Sequence, residues 1–495
     1  MKPLIKRYGI GLAAALIVAA AAVLLSAFWP QAPQPSAALL AAAEGLDEIS
    51  ISASLNPEER SLSVTQTLRM VNRTGQNQDA AVLRTWANAF QSIDTSPCAA
   101  EDALYDRCYP DGFSSGALVM SRAEVDGSAV LYRYTDEAKT VLRIPVPGGW
   151  QDGATVEIQL SYVILMPRAA YRFGLWDDIW AIGNAFAIPA VWEDGAFRTD
   201  AYASVGDPFV SDCANYAVTI AVPEGYVCAG SASPAVETAN GESVYTFNAP
   251  AVRDFALVVS SRFHTAQKLQ DGVLVTAYAA DASQAREMLR DGCKALAYYH
   301  EAFGAYPYPA YTLAEVNFPH GGMEYPGLSM ISTEMLKQGG RELEYVVAHE
   351  TAHQWWYAVV GSDSWNQAWQ DEALCEFSLL TYAEKTYGLA ERYDLEDSRM
   401  ESSLRMTVPH GVTPGAPLDY FASMSEYKLV VYDRGAACLC ALDRMVPLDT
   451  FLRDYYQRFA FGRATRQDFE EQLLLSTGED LTPLMRDYLD TYILN

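Results

Sequence analysis

Residues 341–357 read RELEYVVAHETAHQWWY, and the H-E-x-x-H at their centre is the feature from which the rest of the chain is read. The period of the segment predicts a helix over 341–357, on which side chains four apart share a face. His349 and His353 therefore project together and can clamp one ion through ring nitrogens. Glu350 lies on an adjacent side, where it reaches a metal-bound water without taking a coordination position. Only six histidines occur in the chain and two of them fall here, which sets the motif apart from chance.

Outward toward the carboxyl end, a metal used for chemistry needs a third protein ligand and one open position. Glu372, with eighteen residues between it and His353, opens a second helical run predicted over 366–387. That gap suits a helix end, a loop and a return helix. Glu376, one turn on, is the rival ligand, or else a group that orients a ligand. Outward toward the amino end, 282–304 reads as helix and 311–317 as a short strand.

Before residue 266 the period falls to two. Ile49, Ile51, Ala53 and Leu55 alternate with polar residues, as do Val156, Ile158, Leu160 and Tyr162, and Tyr216, Val218, Ile220 and Val222. Such alternation means half-buried strands of antiparallel sheet. The expected organisation is multidomain: a linker over 31–46, an all-β region over 47–265, an α+β region over 266–445 and a short helical segment over 446–495.

At the extreme amino end Lys2, Lys6 and Arg7 precede an uncharged run from Tyr8 to Trp29. The run is long enough to cross a bilayer as one helix, and the positive residues before it place the remainder outside the cytoplasm. Residues 1–30 are thus a membrane anchor, or a signal peptide that is cleaved; either exports the chain. Eight cysteines fit export, with Cys98 and Cys108, or Cys213 and Cys228, as candidate disulfides, and Cys293, Cys375, Cys438 and Cys440 as buried thiols in helices. The formal charge of −27 repels phosphate backbones and excludes nucleic acid as a partner.

Three further segments join the metal motif in a resemblance. Gly321-Gly322-Met323-Glu324-Tyr325, Val431-Tyr432-Asp433-Arg434-Gly435-Ala436 and His353-Gln354-Trp355-Trp356 are similar to the G-A-M-E-N element, the V-Y-E-K-G-A segment and the aromatic continuation of the metal helix in the gluzincin aminopeptidases, the family of aminopeptidase N and leukotriene hydrolase. The resemblance implies a saddle-like β domain on a thermolysin-like catalytic domain, one Zn2+ per chain on His349, His353 and Glu372, and peptide substrates. It implies Glu350 as general base, Tyr432 as oxyanion donor with Tyr427 as its rival, and Glu324 with Gly321, Gly322 and Met323 at the substrate's amino end. Tyr325 stands where the family has Asn, and the large helical carboxyl domain of long members is expected to be absent. An endopeptidase, a non-peptide hydrolase on the same scaffold and a catalytically silent membrane-anchored module are the alternatives.

Overall fold

The computed structural model describes residues 32–99, 101–408 and 411–491. The run expected to anchor the chain in a membrane falls outside the described residues. Among the described residues no helix is long and apolar enough to cross a bilayer.

Alternation builds the first half of the chain. In Asp47–Asn56 the residues Ile49, Ile51, Ala53 and Leu55 are buried between exposed neighbours. Asn56 turns the chain because its Oδ1 accepts from the amides of Glu58 and Glu59 at 3.1 and 3.2 Å, an Asx turn that sends Ser61–Val71 back antiparallel. The pair sits inside an eight-stranded sheet between Ala214–Pro223, which runs parallel to Asp47–Asn56, and Thr155–Leu165. Two four-stranded sheets and one two-stranded sheet complete the β-rich region.

A five-stranded sheet follows, in the order His264–Gln270, Val273–Ala279, Ala310–Val316, Leu328–Ser332, Gly322–Tyr325. Its strands Val273–Ala279 and Ala310–Val316 are buried at every position, as strands covered on both faces are. The helices Ala282–Ala302 and Gly340–Ala352 lie against each other and against this sheet. The carboxyl helices return to brace the site: Phe469, in Arg466–Thr477, meets the Trp369 ring edge-on at 5.1 Å, and Trp369 opens the helix Trp369–Tyr387.

Three local expectations are corrected. Residues 31–46 are not all linker, because Ser36 accepts from the amide of Leu39 at 3.1 Å and caps a helix, Ala37–Ala43, that buries Leu39. The helix expected over 341–357 ends at Ala352 with His353 as its cap. Beyond it the indoles anchor the chain elsewhere: Trp355 Nε1 donates to the Gly304 carbonyl at 3.0 Å and Trp356 Nε1 to Ser378 Oγ at 2.9 Å. Finally, all eight cysteines are free, buried thiols, so neither expected disulfide is formed. Cys98 and Cys108 are neighbours, whereas Cys213 lies beside Arg253 and Cys228 sits in the strand Val227–Gly230.

Candidate metal centre

The two imidazoles meet as the helical spacing requires. His349 Nε2 and His353 Nε2 are 3.1 Å apart, and Glu372 Oε2, from the first turn of the return helix, lies 3.3 Å from each. Three atoms held by zinc at about 2.0–2.2 Å in a tetrahedral arrangement stand about 3.3–3.6 Å from one another. The spacing therefore fits a zinc ion. Glu372 Oε2 is buried and has no hydrogen-bond partner, a cost that a cation between the three atoms removes.

The electrostatics have the same sense. Burial opposes charge on His349, yet Glu372 and Glu376 outweigh it and hold the imidazolium up to about 9. Burial likewise opposes ionisation of Glu372, and the two histidines reverse it, to about 2. The cluster attracts positive charge, protons or a metal that displaces them. Each imidazole has a carboxylate behind it: Asp371 Oδ1 is hydrogen-bonded to His353 Nδ1 at 2.7 Å, and Glu376 Oε1 is 3.2 Å from His349 Nδ1. Glu376 thus meets His349 on the ring nitrogen turned away from Glu372. Of the two acids, Glu372 is the one placed to ligate an ion between the imidazoles, and Glu376 the one placed to orient a ligand.

Glu350 is 6% exposed, its Oε2 has no partner, and burial lifts its pKa to about 7. A Cβ on Gly322 would lie 2.6 Å from the Glu350 carboxyl, so this glycine makes room for that side chain. At Gly321 an added Cβ would press on Val346 at 3.2 Å. Glu324 reaches the same cluster: its carboxylate, that of Glu350 and a ring nitrogen of His353 lie within 4.8 Å of one another. Met323 is a correction, since strand alternation turns it to the other face, where it is buried in the core and does not line the cleft. Tyr325 is 1% exposed and donates to Asn184 Oδ1 at 2.8 Å, so it ties the edge strand to the β-rich region.

Tyr432 stacks on His349 with ring centroids 5.7 Å apart and its hydroxyl donates to Glu372 Oε1. Tyr427 stands behind it, 1% exposed, with its hydroxyl where a Cβ on Gly206 would lie 2.9 Å away. A cleft of about 860 Å³ opens from Glu350 and Tyr432 past Arg107, Glu334 and Arg399. Glu324 reaches the cluster but does not line the cleft.

Asp371 and Asp433 adjoin motif residues, and that adjacency was the only signal of them in the sequence. Arg399, and the ion pair of Arg172 with Asp207 beside Tyr427, carry no motif at all and are brought in by tertiary folding.

The family model described as Peptidase family M1 domain matches residues 288–488. Aminopeptidase N of Lactobacillus helveticus is 24% identical over 401 residues, 75% of this chain and 46% of that protein. Leukotriene A-4 hydrolase of Xenopus laevis is 27% identical over 194 residues, 36% of this chain and 31% of that one. The chain spans less than half the length of these relatives. In fold it is similar to the M1 zinc metallopeptidase from Deinococcus radiodurans, with a TM-score of 0.65 at 18% identity over 91% of this chain and 95% of that one. A two-domain M1 zinc metallopeptidase bound to L-tryptophan is similar at a TM-score of 0.64 and 17% identity, over 94% and 97%.

Proposed function

The chain belongs, through its peptidase M1 domain, to the gluzincin aminopeptidase family, and from that premise we propose that it is a zinc-dependent aminopeptidase that removes single residues from the free amino ends of peptides. His349, His353 and Glu372 would hold the zinc, which when bound would supply Lewis-acid chemistry and lower the pKa of water to about 7. Glu350, buried with a free oxygen, takes the proton from the attacking water and passes it to the departing amine. The Tyr432 hydroxyl donates to the oxygen on which negative charge develops. Glu324 accepts the substrate's ammonium; burial holds its carboxyl well above the usual range, so an arriving cation is what stabilises its charge.

One observation carries the choice of end. The cleft opens at Glu350 and Tyr432, and Glu324, 4% exposed and outside the cleft lining, has its carboxylate within 4.8 Å of that of Glu350 and of a His353 ring nitrogen. A peptide that enters from the cleft and seats its ammonium on this buried carboxylate is held by its amino end. The test is one long peptide, with its amino end free or acetylated, digested by wild type and by Glu324→Ala with products identified by mass. Release of single residues from the free form alone is expected. Equal cleavage of both forms, or internal fragments as the main product, makes the protein an endopeptidase.

The location belongs to the same reading. Lys2, Lys6 and Arg7 before an apolar run support a single-pass anchor with the catalytic region outside the cytoplasm. External protease should then reach that region while intact Met1 stays with the membrane fraction. A soluble form beginning after Ser26 would mean cleavage instead.

A further inference from the structure

Two π-helical turns face each other across the cleft wall, Glu396–Glu401 and Lys428–Arg434. Such turns are uncommon and gather at functional sites. The second carries Tyr432 and, next to it, Asp433. The first carries Arg399, whose Nη2 lies 2.6 Å from Glu376 Oε2 and whose Nε lies 3.7 Å from Asp433 Oδ1. Glu376 in turn stands 3.2 Å from Nδ1 of His349. One guanidinium thus spans the acid behind a metal ligand and the acid beside the proposed oxyanion donor.

The ring that Glu376 meets and the ring next to Asp433 in the chain are themselves in contact, because Tyr432 stacks on His349 with an interplanar angle of 10°. Without the cation, the buried Glu376 carboxylate and the half-buried Asp433 carboxylate would repel, and both His349 and Tyr432 would lose the setting that keeps them stacked. The second π turn has an independent tie to the short helix Ser402–Leu404 that continues the first: the Arg434 guanidinium donates to the Ser403 carbonyl at 3.1 Å. Removing Arg399 therefore alters the setting of the site while the wall stays joined.

We propose that Arg399 is a positioning residue that sets His349, through Glu376, and Tyr432, through Asp433, in one mutual arrangement. The inference rests on the zinc peptidase reading for its kinetic arm only. Its other arm is metal affinity, measured by competition with a chromophoric chelator and independent of any substrate.

Arg399→Gln should weaken zinc binding about tenfold or more and lower kcat on an aminoacyl-fluorophore while KM changes little. Arg399→Lys, which keeps a charge but not the fork, should recover part of the zinc affinity. Asp433→Asn should lower kcat and leave zinc affinity unchanged, and Arg399→Gln added to it should cost less than it does in wild type. Wild-type zinc affinity in folded Arg399→Gln overturns the proposal. So does full additivity of the two substitutions in kcat. A lowered melting temperature in Arg399→Gln and Arg399→Lys alike, with unchanged zinc affinity, would mean a structural residue and also overturn it. If wild type binds zinc but releases no amino acid, the peptidase reading fails while the affinity arm still decides this one.

Discussion

The helix Gly340–Ala352 buries a glutamate near each end, and the two differ in everything except burial. Glu344 and Glu350 are each 6% exposed. Glu344 accepts from Lys294 Nζ and Tyr382 OH, both at 2.6 Å, and from Tyr387 OH. Burial pushes its pKa up, but those donors prevail and hold it below the usual carboxylate value. Glu350 has a free oxygen, and burial lifts it to about 7. Burial of an acid therefore does not mark a reactive site; what marks it is an acid left without partners. Glu344 joins the helix to its neighbours, and Glu350 is available to a water molecule.

Exchanging each acid for its amide tests that contrast. The largest effect is expected from Glu350→Gln: bound zinc retained and kcat lowered by about a hundredfold to ten-thousandfold, measured by metal analysis beside turnover. Full activity in the variant would end the assignment. Tyr432→Phe, on the same reactive side of the contrast, should lower kcat by about a hundredfold or more with KM nearly constant; an unchanged kcat would move attention to Tyr427.

A smaller effect is thermodynamic. In metal-free protein a carboxyl whose folded pKa is raised loses stability for the fold as pH rises from its unfolded value toward the folded one. Chemical denaturation of metal-free wild type should therefore show it losing stability relative to Glu350→Gln between pH about 4.5 and 7, by at most on the order of 3 kcal/mol. A difference that does not change with pH would refute the raised pKa. The smallest effect is expected at the other end, where Glu344→Gln should cost about 2 kcal/mol at neutral pH and leave kcat alone. Because the folded pKa of Glu344 is depressed, that cost is present above the unfolded pKa and fades as pH falls through the folded one. A loss of turnover without loss of stability would place Glu344 on the reactive side.

The sequence by itself determined what depends on near neighbours along the chain. Alternation in Asp47–Asn56, the four-residue spacing of His349 and His353, and the position of Glu372 in a return helix all follow from the periods of strand and helix. The helix over 341–357 was overextended by five residues because Trp355 and Trp356 are held by Gly304 and Ser378, which no local period announces. Only the tertiary structure decided that Met323 faces the core, that Gly322 makes room for Glu350, and that Glu324 comes beside Glu350 and His353. It alone left the cysteines unpaired and brought Arg399 between Glu376 and Asp433. The reason is physical: whether a buried polar group is satisfied depends on donors and acceptors from distant segments. Glu344 and Glu350 sit six residues apart on one helix, and only Lys294, Tyr382 and Tyr387, packed beside one and not the other, make the first a structural tie and leave the second free to react.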